Sequence, residues 1–345
     1  MNALVLENKG VMTHKEVPTP EPAGGHVLLR VKAASICGSD IMRYTKGHRT
    51  YNLVLGHECA GVIARVGEGV SPALVGRKAA VIPVVPCFAC EQCEAGRYSA
   101  CHRYSFIGSR QDGGYADYVV LRERNALLLP DDMDLEAAAL IEPATVARHI
   151  LDLGRFERGQ SAIVLGAGSV GLMAVQWLRI LGASLVIATD VVESNLEAAR
   201  ELGAHAVYNP GTADVTAEVK RLARDGVDLA IEAAGSPQAL AQTIQVTRPR
   251  GHVVCGGNQP PEASLPMTFI EELMRRELTL TGCFMSYSAP FPGHEWTDTV
   301  GAIQRGELHV KQMISHRFPL SRGVQVFEDI AARRITFRKI LLLPE

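Results

Sequence analysis

Net charge of one sign, long apolar runs and low-complexity segments are all scarce in this chain, and each scarcity removes a class of function. The 345 residues carry 35 Lys and Arg against 37 Asp and Glu, a formal net charge of −2. No overall basic field is present to draw in nucleic acid or an anionic membrane. No uninterrupted apolar run reaches the roughly 18 residues that span a bilayer. The opening Met1-Asn2-Ala3-Leu4-Val5-Leu6-Glu7 lacks the basic-then-apolar layout of a signal peptide. Internal repeats are absent too. What remains, 47% hydrophobic and 21% charged, is ordinary globular composition, long enough for about two domains with separate cores.

Half of the eight cysteines fall in one short stretch, Cys87-x-x-Cys90-x-x-Cys93 followed by Cys101. Four thiolates at loop-compatible spacing can surround one tetrahedral Zn²⁺, and a site filled that way leaves no position for chemistry, so it reads as structural. An iron–sulfur cluster is the rival reading, because Cys-x-x-Cys-x-x-Cys also opens bacterial ferredoxin motifs. There the fourth cysteine follows after three residues and precedes proline; here the gap is seven and His102 follows, which favours zinc. Thiols grouped as ligands rather than spread as a disulfide framework predict a reducing compartment, the cytoplasm by default. Cys59, Cys255 and Cys283 have no partner spacing and read as core.

The chain to about Arg124 reads as β-rich. Runs such as Val27-Leu28-Leu29-Arg30-Val31 and Ala60-Gly61-Val62-Ile63-Ala64-Arg65-Val66 are bounded by Gly and Pro. From Asp134 the composition turns helical, and then strand and helix alternate. Strands are expected at 162–165, 185–188, 227–231, 252–255 and 278–281, with helices at 170–181 and 195–202. Apolar strands separated by helices argue for a parallel, doubly wound sheet, an α/β fold. The tail beyond about Pro292 returns to mixed structure.

Gly166-Ala167-Gly168-Ser169-Val170-Gly171 follows an apolar strand and opens a helix. The first glycine makes the tight turn and the second lets backbone approach a pyrophosphate. The third allows close packing of helix on strand, with helix N–H groups facing the anion. Asp190 ends the next strand about 20 residues on, where a ribose-binding carboxylate belongs. Val191, Val192 and Glu193 follow, with no cation to receive a 2′-phosphate. NAD is therefore expected rather than NADP.

A second constellation is less explicit: Cys37-Gly38-Ser39-Asp40, Gly56-His57-Glu58 and Glu142-Pro143. Singly, each has a plain explanation as a core thiol, a loop histidine and a helix-end carboxylate. Beside a nicotinamide fold they gain meaning. Zn²⁺ held by thiolate, imidazole and carboxylate keeps a position for an alcohol oxygen and lowers its pKa, as it does that of water, to about 7. The alkoxide can then expel hydride.

In this order, these motifs resemble the zinc-dependent medium-chain dehydrogenases over essentially the whole chain, and within them the sorbitol and polyol branch. The resemblance implies a GroES-like β-rich catalytic domain, 1–146 completed by 290–345, around a Rossmann domain at 147–289. It also implies a homodimer or homotetramer. Carried over, Cys37 and His57 are catalytic zinc ligands and Glu142 is the third. Glu58 is a ligand or a base acting through water, and Ser39 passes the alcohol proton outward. Gly166, Gly168, Ser169, Val170, Gly171 and Asp190 hold NAD. The stretches 106–114 and 276–296 are similar to members that oxidise a phosphorylated hexitol to the ketose phosphate. Galactitol 1-phosphate is thus the first substrate expected and an unphosphorylated hexitol the second. A sugar acid, L-threonine or a non-enzymatic NAD-binding role are the alternatives. Arg43, Lys46, His48 and Arg49, or Arg110, are candidate partners for a phosphate, or else a solvated surface.

Overall fold

Near-continuous burial along the early strands shows how the β-rich part is built. In His26–Ser35, residues 27–29 and 33–35 are buried, and this strand pairs antiparallel with Glu58–Val66, from Val27↔Val66 to Ser35↔Glu58. The computed structural model describes residues 1–260 and 264–345. Around that central pair lies a seven-stranded sheet. Its order is Ala126–Leu128, Lys78–Val81, Glu58–Val66, His26–Ser35, Lys339–Leu343 and Ile314–Pro319, with Tyr118–Arg122 also on His26–Ser35. The C-terminal strand Lys339–Leu343 is apolar after its first residue and nearly all buried, which draws the tail into this sheet. Leu341 opposes Ser35 and Leu342 opposes Ala34.

Two compact units result. The first comprises Met1–Glu142, Tyr287–Gln304 and Val310–Glu345, and the second comprises Pro143–Ser286 and Arg305–His309. The junctions lie a few residues before 146/147 and 289/290, and the short segment Arg305–His309 belongs with the second unit.

In the second unit, six strands form one all-parallel sheet. Their order is Ala206–Tyr208, Leu185–Thr189, Ser161–Leu165, Val227–Glu232, Thr247–Cys255, Thr279–Gly282. Counted along the chain this is 3-2-1-4-5-6, the doubly wound dinucleotide-binding order, whose direction reverses between Ser161–Leu165 and Val227–Glu232. Ile163, Leu165, Ile187, Ala230 and Val253 of the strands pack with Val219, Ile244 and Phe269 of the helices. Side chains cap those helices where the sequence supplies them. Asp214 accepts from the N–H of Ala217 at 3.1 Å and Ser236 from that of Ala239 at 3.2 Å. Among the described residues, no helix is long and apolar enough to cross a membrane.

Candidate zinc and dinucleotide sites

Cys37 ends the loop after strand His26–Ser35 and is the N-cap of helix Gly38–Lys46. His57 precedes strand Glu58–Val66, and the pairing Ser35↔Glu58 sets the two loops side by side. The turn before His57 needs Gly56. Its φ is +94°, and a Cβ there would lie 2.5 Å from the Tyr115 ring. As a result, ligand atoms of Cys37, His57 and Glu58 lie within 4.8 Å of one another.

A buried hydrogen-bonded shell fixes this group. Asp40 is fully buried, and its carboxylate accepts from Arg43 Nη1 at 2.8 Å and from the Tyr115 hydroxyl at 2.7 Å. Its Oδ1 lies 3.6 Å from His57 Nδ1. Burial works against the charge of Asp40, yet His57 and Arg43 hold its carboxyl below the usual range. Burial likewise opposes a charged His57, and Asp40 and Cys37 outweigh it, holding the imidazole well above its ordinary value. Ser39 Oγ donates to Cys37 Sγ at 3.3 Å and accepts from Arg43 Nη1 at 2.8 Å.

Glu58 is held just as firmly. Lys339 Nζ donates to its two oxygens at 2.7 and 2.5 Å, and the Ser35 hydroxyl also donates to Oε2. Both ends of this ion pair are buried, at 3% and 1% side-chain exposure. Burial disfavours the ammonium, but Glu58 and Cys37 hold its pKa above the ordinary value. Glu142 lies outside the 4.8 Å group but within electrostatic reach. Burial raises its pKa to about 7; Glu58 adds to the rise, while His57 and Lys339 oppose it.

The donor set fits a dication. Cys37, His57 and the carboxylates of Glu58 and Glu142 are the sulfur, nitrogen and oxygen donors that zinc takes. Binding a metal requires these ligands in their deprotonated forms, and the ion's own charge then offsets their buried negative charge.

The four-cysteine lobe passes a sharper test. Tetrahedral zinc with Zn–S near 2.3 Å requires sulfur–sulfur edges of about 3.8 Å. Cys90 lies 3.6 Å from Cys93 and 3.9 Å from Cys101, and Cys87 lies 4.0 Å from Cys93. The backbone N–H of Ala89, with Cys101, Cys90 and the Arg103 guanidinium, brings the Cys87 thiol down to about 6. Burial and the neighbouring sulfurs push Cys93 up to about 12. Phe88 and Tyr98 of the lobe meet Phe291 edge-on, at 5.2 and 5.3 Å between ring centroids. Phe291 in turn stacks on Tyr287, and Tyr287 on Trp296, which is fully buried.

The glycine motif lies at the carboxyl end of strand Ser161–Leu165. Gly166 has φ +103°, and a Cβ there would strike Ala234 N at 2.5 Å. A Cβ on Gly171 would meet Gly166 O at 1.9 Å, whereas one on Gly168 would point into open space. That is the pattern a pyrophosphate cradle requires: two glycines for packing and one left open for the ligand. Asp190 accepts from the N–H of Ala167 at 2.8 Å and from that of Val192 at 2.9 Å, so its carboxylate stands beside the cradle. Ser169 and Val170 begin the helix Ser169–Ile180 whose N-terminus faces that space.

Other expected residues fall differently. Arg43 is on a helix and committed to Asp40 and Ser39, and Arg110 donates to Tyr104 O at 2.7 Å while lying over its ring. His48 Nε2 contacts Ser109 O at 2.6 Å. Lys46 and Arg49 are exposed. Phe106 meets the His57 ring edge-on at 5.4 Å, so the stretch from Phe106 packs on the zinc-ligand turn itself. Sequence reasoning missed Lys339, Ser35, Tyr115 and Glu232. The one available signal was a lysine leading the apolar run Ile340-Leu341-Leu342-Leu343.

Residues 169–304 match the family model described as zinc-binding dehydrogenase, and residues 23–131 match the alcohol dehydrogenase GroES-like domain. Galactitol 1-phosphate 5-dehydrogenase of Escherichia coli (strain K12) is 35% identical, with 100% of both chains covered. The chain belongs to the zinc-binding dehydrogenase family. It is an oxidoreductase of GroES-like and Rossmann architecture. Sorbitol dehydrogenase of Bacillus subtilis is 33% identical over 100% of this chain and 97% of its own. The crystal structure of galactitol-1-phosphate dehydrogenase from Escherichia coli matches with a TM-score of 0.95, 34% identity and full coverage of both chains. A protein of Sinorhizobium meliloti 1021 solved with NADP bound matches at a TM-score of 0.92, with 30% identity and 99% coverage of each chain.

Proposed function

We propose that this enzyme oxidises a secondary hydroxyl of a hexitol, with galactitol 1-phosphate as first substrate and an unphosphorylated hexitol as second, and passes the hydride to NAD. The observation that carries the reading is the group of Cys37, His57 and Glu58 within 4.8 Å, backed by Glu142. Cys37 and His57 hold a zinc ion together with a carboxylate, Glu142 being the third ligand and Glu58 its neighbour held by Lys339. When bound, zinc supplies the Lewis acidity that favours the alkoxide form of the substrate alcohol. Ser39 stands next to Cys37 Sγ with a hydroxyl that can relay that alcohol's proton outward, taking it up as it gives up its own, and Arg43 orients it. The four-cysteine lobe holds a second, structural zinc.

Asp190 favours NAD. A carboxylate accepts from ribose hydroxyls and repels a 2′-phosphate, and neither Val191 nor Val192 offers a cation. The relatives that act on galactitol 1-phosphate and sorbitol support a polyol. A screen of polyols and their phosphates, read by NADH absorbance, tests the substrate. Faster turnover of galactitol, altritol or sorbitol than of any phosphate ester moves the assignment to the unphosphorylated hexitol.

Grouped free thiols support a cytoplasmic location. The enzyme assembles as a homo-oligomer, a dimer or tetramer. Among the described residues, strand Thr279–Gly282 ends its sheet with one edge unpaired, and its Leu280 and the following Phe284 are 40% and 69% exposed. Helix Met267–Arg275 adds Met267, Ile270 and Met274 at 83%, 48% and 71% exposure. A second copy pairing the same edge about a two-fold axis covers both. Phe284→Glu should then shift the mass measured by light scattering toward monomer.

A further inference from the structure

Among the described residues of the second unit, Glu232 is the one charged side chain that is fully buried, at 0% exposure. It ends strand Val227–Glu232, the neighbour of the fingerprint strand Ser161–Leu165 on the side away from Leu185–Thr189. The sheet therefore reverses its winding direction beside this residue. The crevice outside the carboxyl ends of two such strands is where open parallel sheets receive their ligands.

A buried carboxylate needs donors, and Glu232 has five. Oε1 accepts the backbone N–H groups of Ala234, Gly235 and Ser236 at 2.9, 2.7 and 3.3 Å. Oε2 accepts from Gln259 Nε2 at 2.8 Å and from the Cys255 thiol at 3.8 Å. The backbone carbonyl of the same residue accepts from Gly256 and Gly257 at 2.9 and 3.0 Å. One residue thus ties the loop after its own strand to the loop after the next. Both loops are packed without slack. A Cβ on Gly257 would lie 2.2 Å from Gly235 N and 2.6 Å from Glu232 Oε2. On the opposite side, the Ala233–Ala234 backbone abuts Gly166, where a Cβ would meet Ala234 N at 2.5 Å. The placement of the fingerprint turn, and of the N–H groups that follow it, therefore depends on a loop that Glu232 holds.

We propose that Glu232 is a positioning residue for the dinucleotide, latching the loops after strands Val227–Glu232 and Thr247–Cys255 so that they brace Gly166. The proposal rests on the reading that NAD binds at that fingerprint. Its role is to accept hydrogen bonds, so an amide should replace it. In Glu232→Gln, Oε1 keeps its three backbone donors and the new Nε2 meets Gln259. Among the described residues, Gln259 Oε1 is buried without a partner, so that amide turns over and accepts.

The test is an NADH titration by fluorescence on zinc-loaded protein without polyol, with kcat at saturating NAD, zinc content and thermal midpoint measured alongside. Glu232→Ala should raise the NADH Kd at least tenfold and the NAD KM in step, while kcat and zinc content stay within threefold of wild type. Glu232→Gln should restore Kd to within threefold. Gln259→Ala, which cuts only the tie between loops, should weaken NADH by about two- to fivefold. It also keeps the test decisive if Glu232→Ala does not fold. Wild-type Kd in a folded Glu232→Ala or in Gln259→Ala, with only the thermal midpoint lowered, overturns the proposal and leaves the NAD reading standing. A Glu232→Gln protein as weak as Glu232→Ala overturns it as well. Failure of the wild-type protein to bind NADH refutes both.

Discussion

Replacing Lys339 by Met strips Glu58 of its counter-charge where water cannot substitute for it. The ammonium and carboxylate are 2.5–2.7 Å apart and almost wholly buried. At an effective dielectric near 20, charges about 3 Å apart attract by about 5 kcal/mol. Removing each from water costs several kcal/mol, so as a net contribution the intact pair comes close to break-even. Breaking it is another matter. Lys339→Met leaves the carboxylate buried with the Ser35 hydroxyl as its remaining donor in this pair, and Ile36 O loses the 3.4 Å contact from Lys339 Nζ. The expected loss is about 3–5 kcal/mol, the range for truncating one partner of a buried pair. That is a large share of the ~5–15 kcal/mol that holds a domain folded.

Glu58→Gln combined with Lys339→Met removes both charges and should recover most of the loss. The tryptophans make this measurable, because the chain has only two. Trp296 is fully buried in the first unit and Trp177 lies in the second. In a Trp177→Phe background, urea unfolding followed by tryptophan fluorescence reports on the unit that contains Lys339. A Lys339→Met loss below about 1 kcal/mol, or a double variant no better than the single, would refute the argument that an uncompensated carboxylate is the cause.

Three further outcomes follow from the geometry. Cys90→Ser should lower zinc content by about one per chain and destabilise the protein, since a closed zinc site contributes directly to folding; Cys37→Ser should abolish turnover with the fold retained, and metal analysis beside activity separates the two. Asp190→Ala should relax the NAD-over-NADP preference in kcat/KM by about 1.5–3 kcal/mol, the size of a hydrogen bond to a charged group, and equal use of both cofactors by the unmodified enzyme would contradict the role given to Asp190. Asp228 joins two strands by accepting from the Ser161 N–H and hydroxyl, each at 2.7 Å; burial opposes its charge, but these bonds and Arg248 hold its pKa below the ordinary value. Its stabilisation is therefore present above the unfolded value of about 3.9 and lost as pH falls through the folded value. Asp228→Asn should cost about 1–2 kcal/mol at pH 7 and progressively less below pH ~4, checked by urea titrations across that range.

What could be read in the chain and what could not divide along a physical line. Motifs whose chemistry is local in sequence were legible. Four thiols within one short stretch, or three glycines between an apolar strand and a helix, carry their spacing requirement in the residues themselves. The structure places these groups at sulfur–sulfur distances of 3.6–4.0 Å and around a Gly168 facing open space. Most strand and helix positions in the second unit were also legible within a residue or two, because buried parallel strands are apolar. Residues 161–165 and 185–189 show this, against 162–165 and 185–188 expected. Thr247–Cys255, by contrast, begins five residues before the expected 252–255, and Ala206–Tyr208 was not expected.

Lys339 was not legible, and neither was Asp40 as the partner of His57. Each depends on a pairing made by the fold rather than by the spacing. Strand Lys339–Leu343 reaches Glu58 only because it lies antiparallel to His26–Ser35, across a sequence separation of 281 residues. No periodicity predicts which ionisable residue a sheet will deliver to a buried carboxylate. The same limit explains Arg43. Read as a run, 43–49 is a row of cations free for an anion, but a helix starting at Gly38 turns Arg43 inward onto Asp40, its i−3 neighbour, while Lys46 and Arg49 stay exposed. A charge run marks solvent or ligand only after the helix phase is known. In this chain that phase assigns Arg43 to the Asp40–His57 shell.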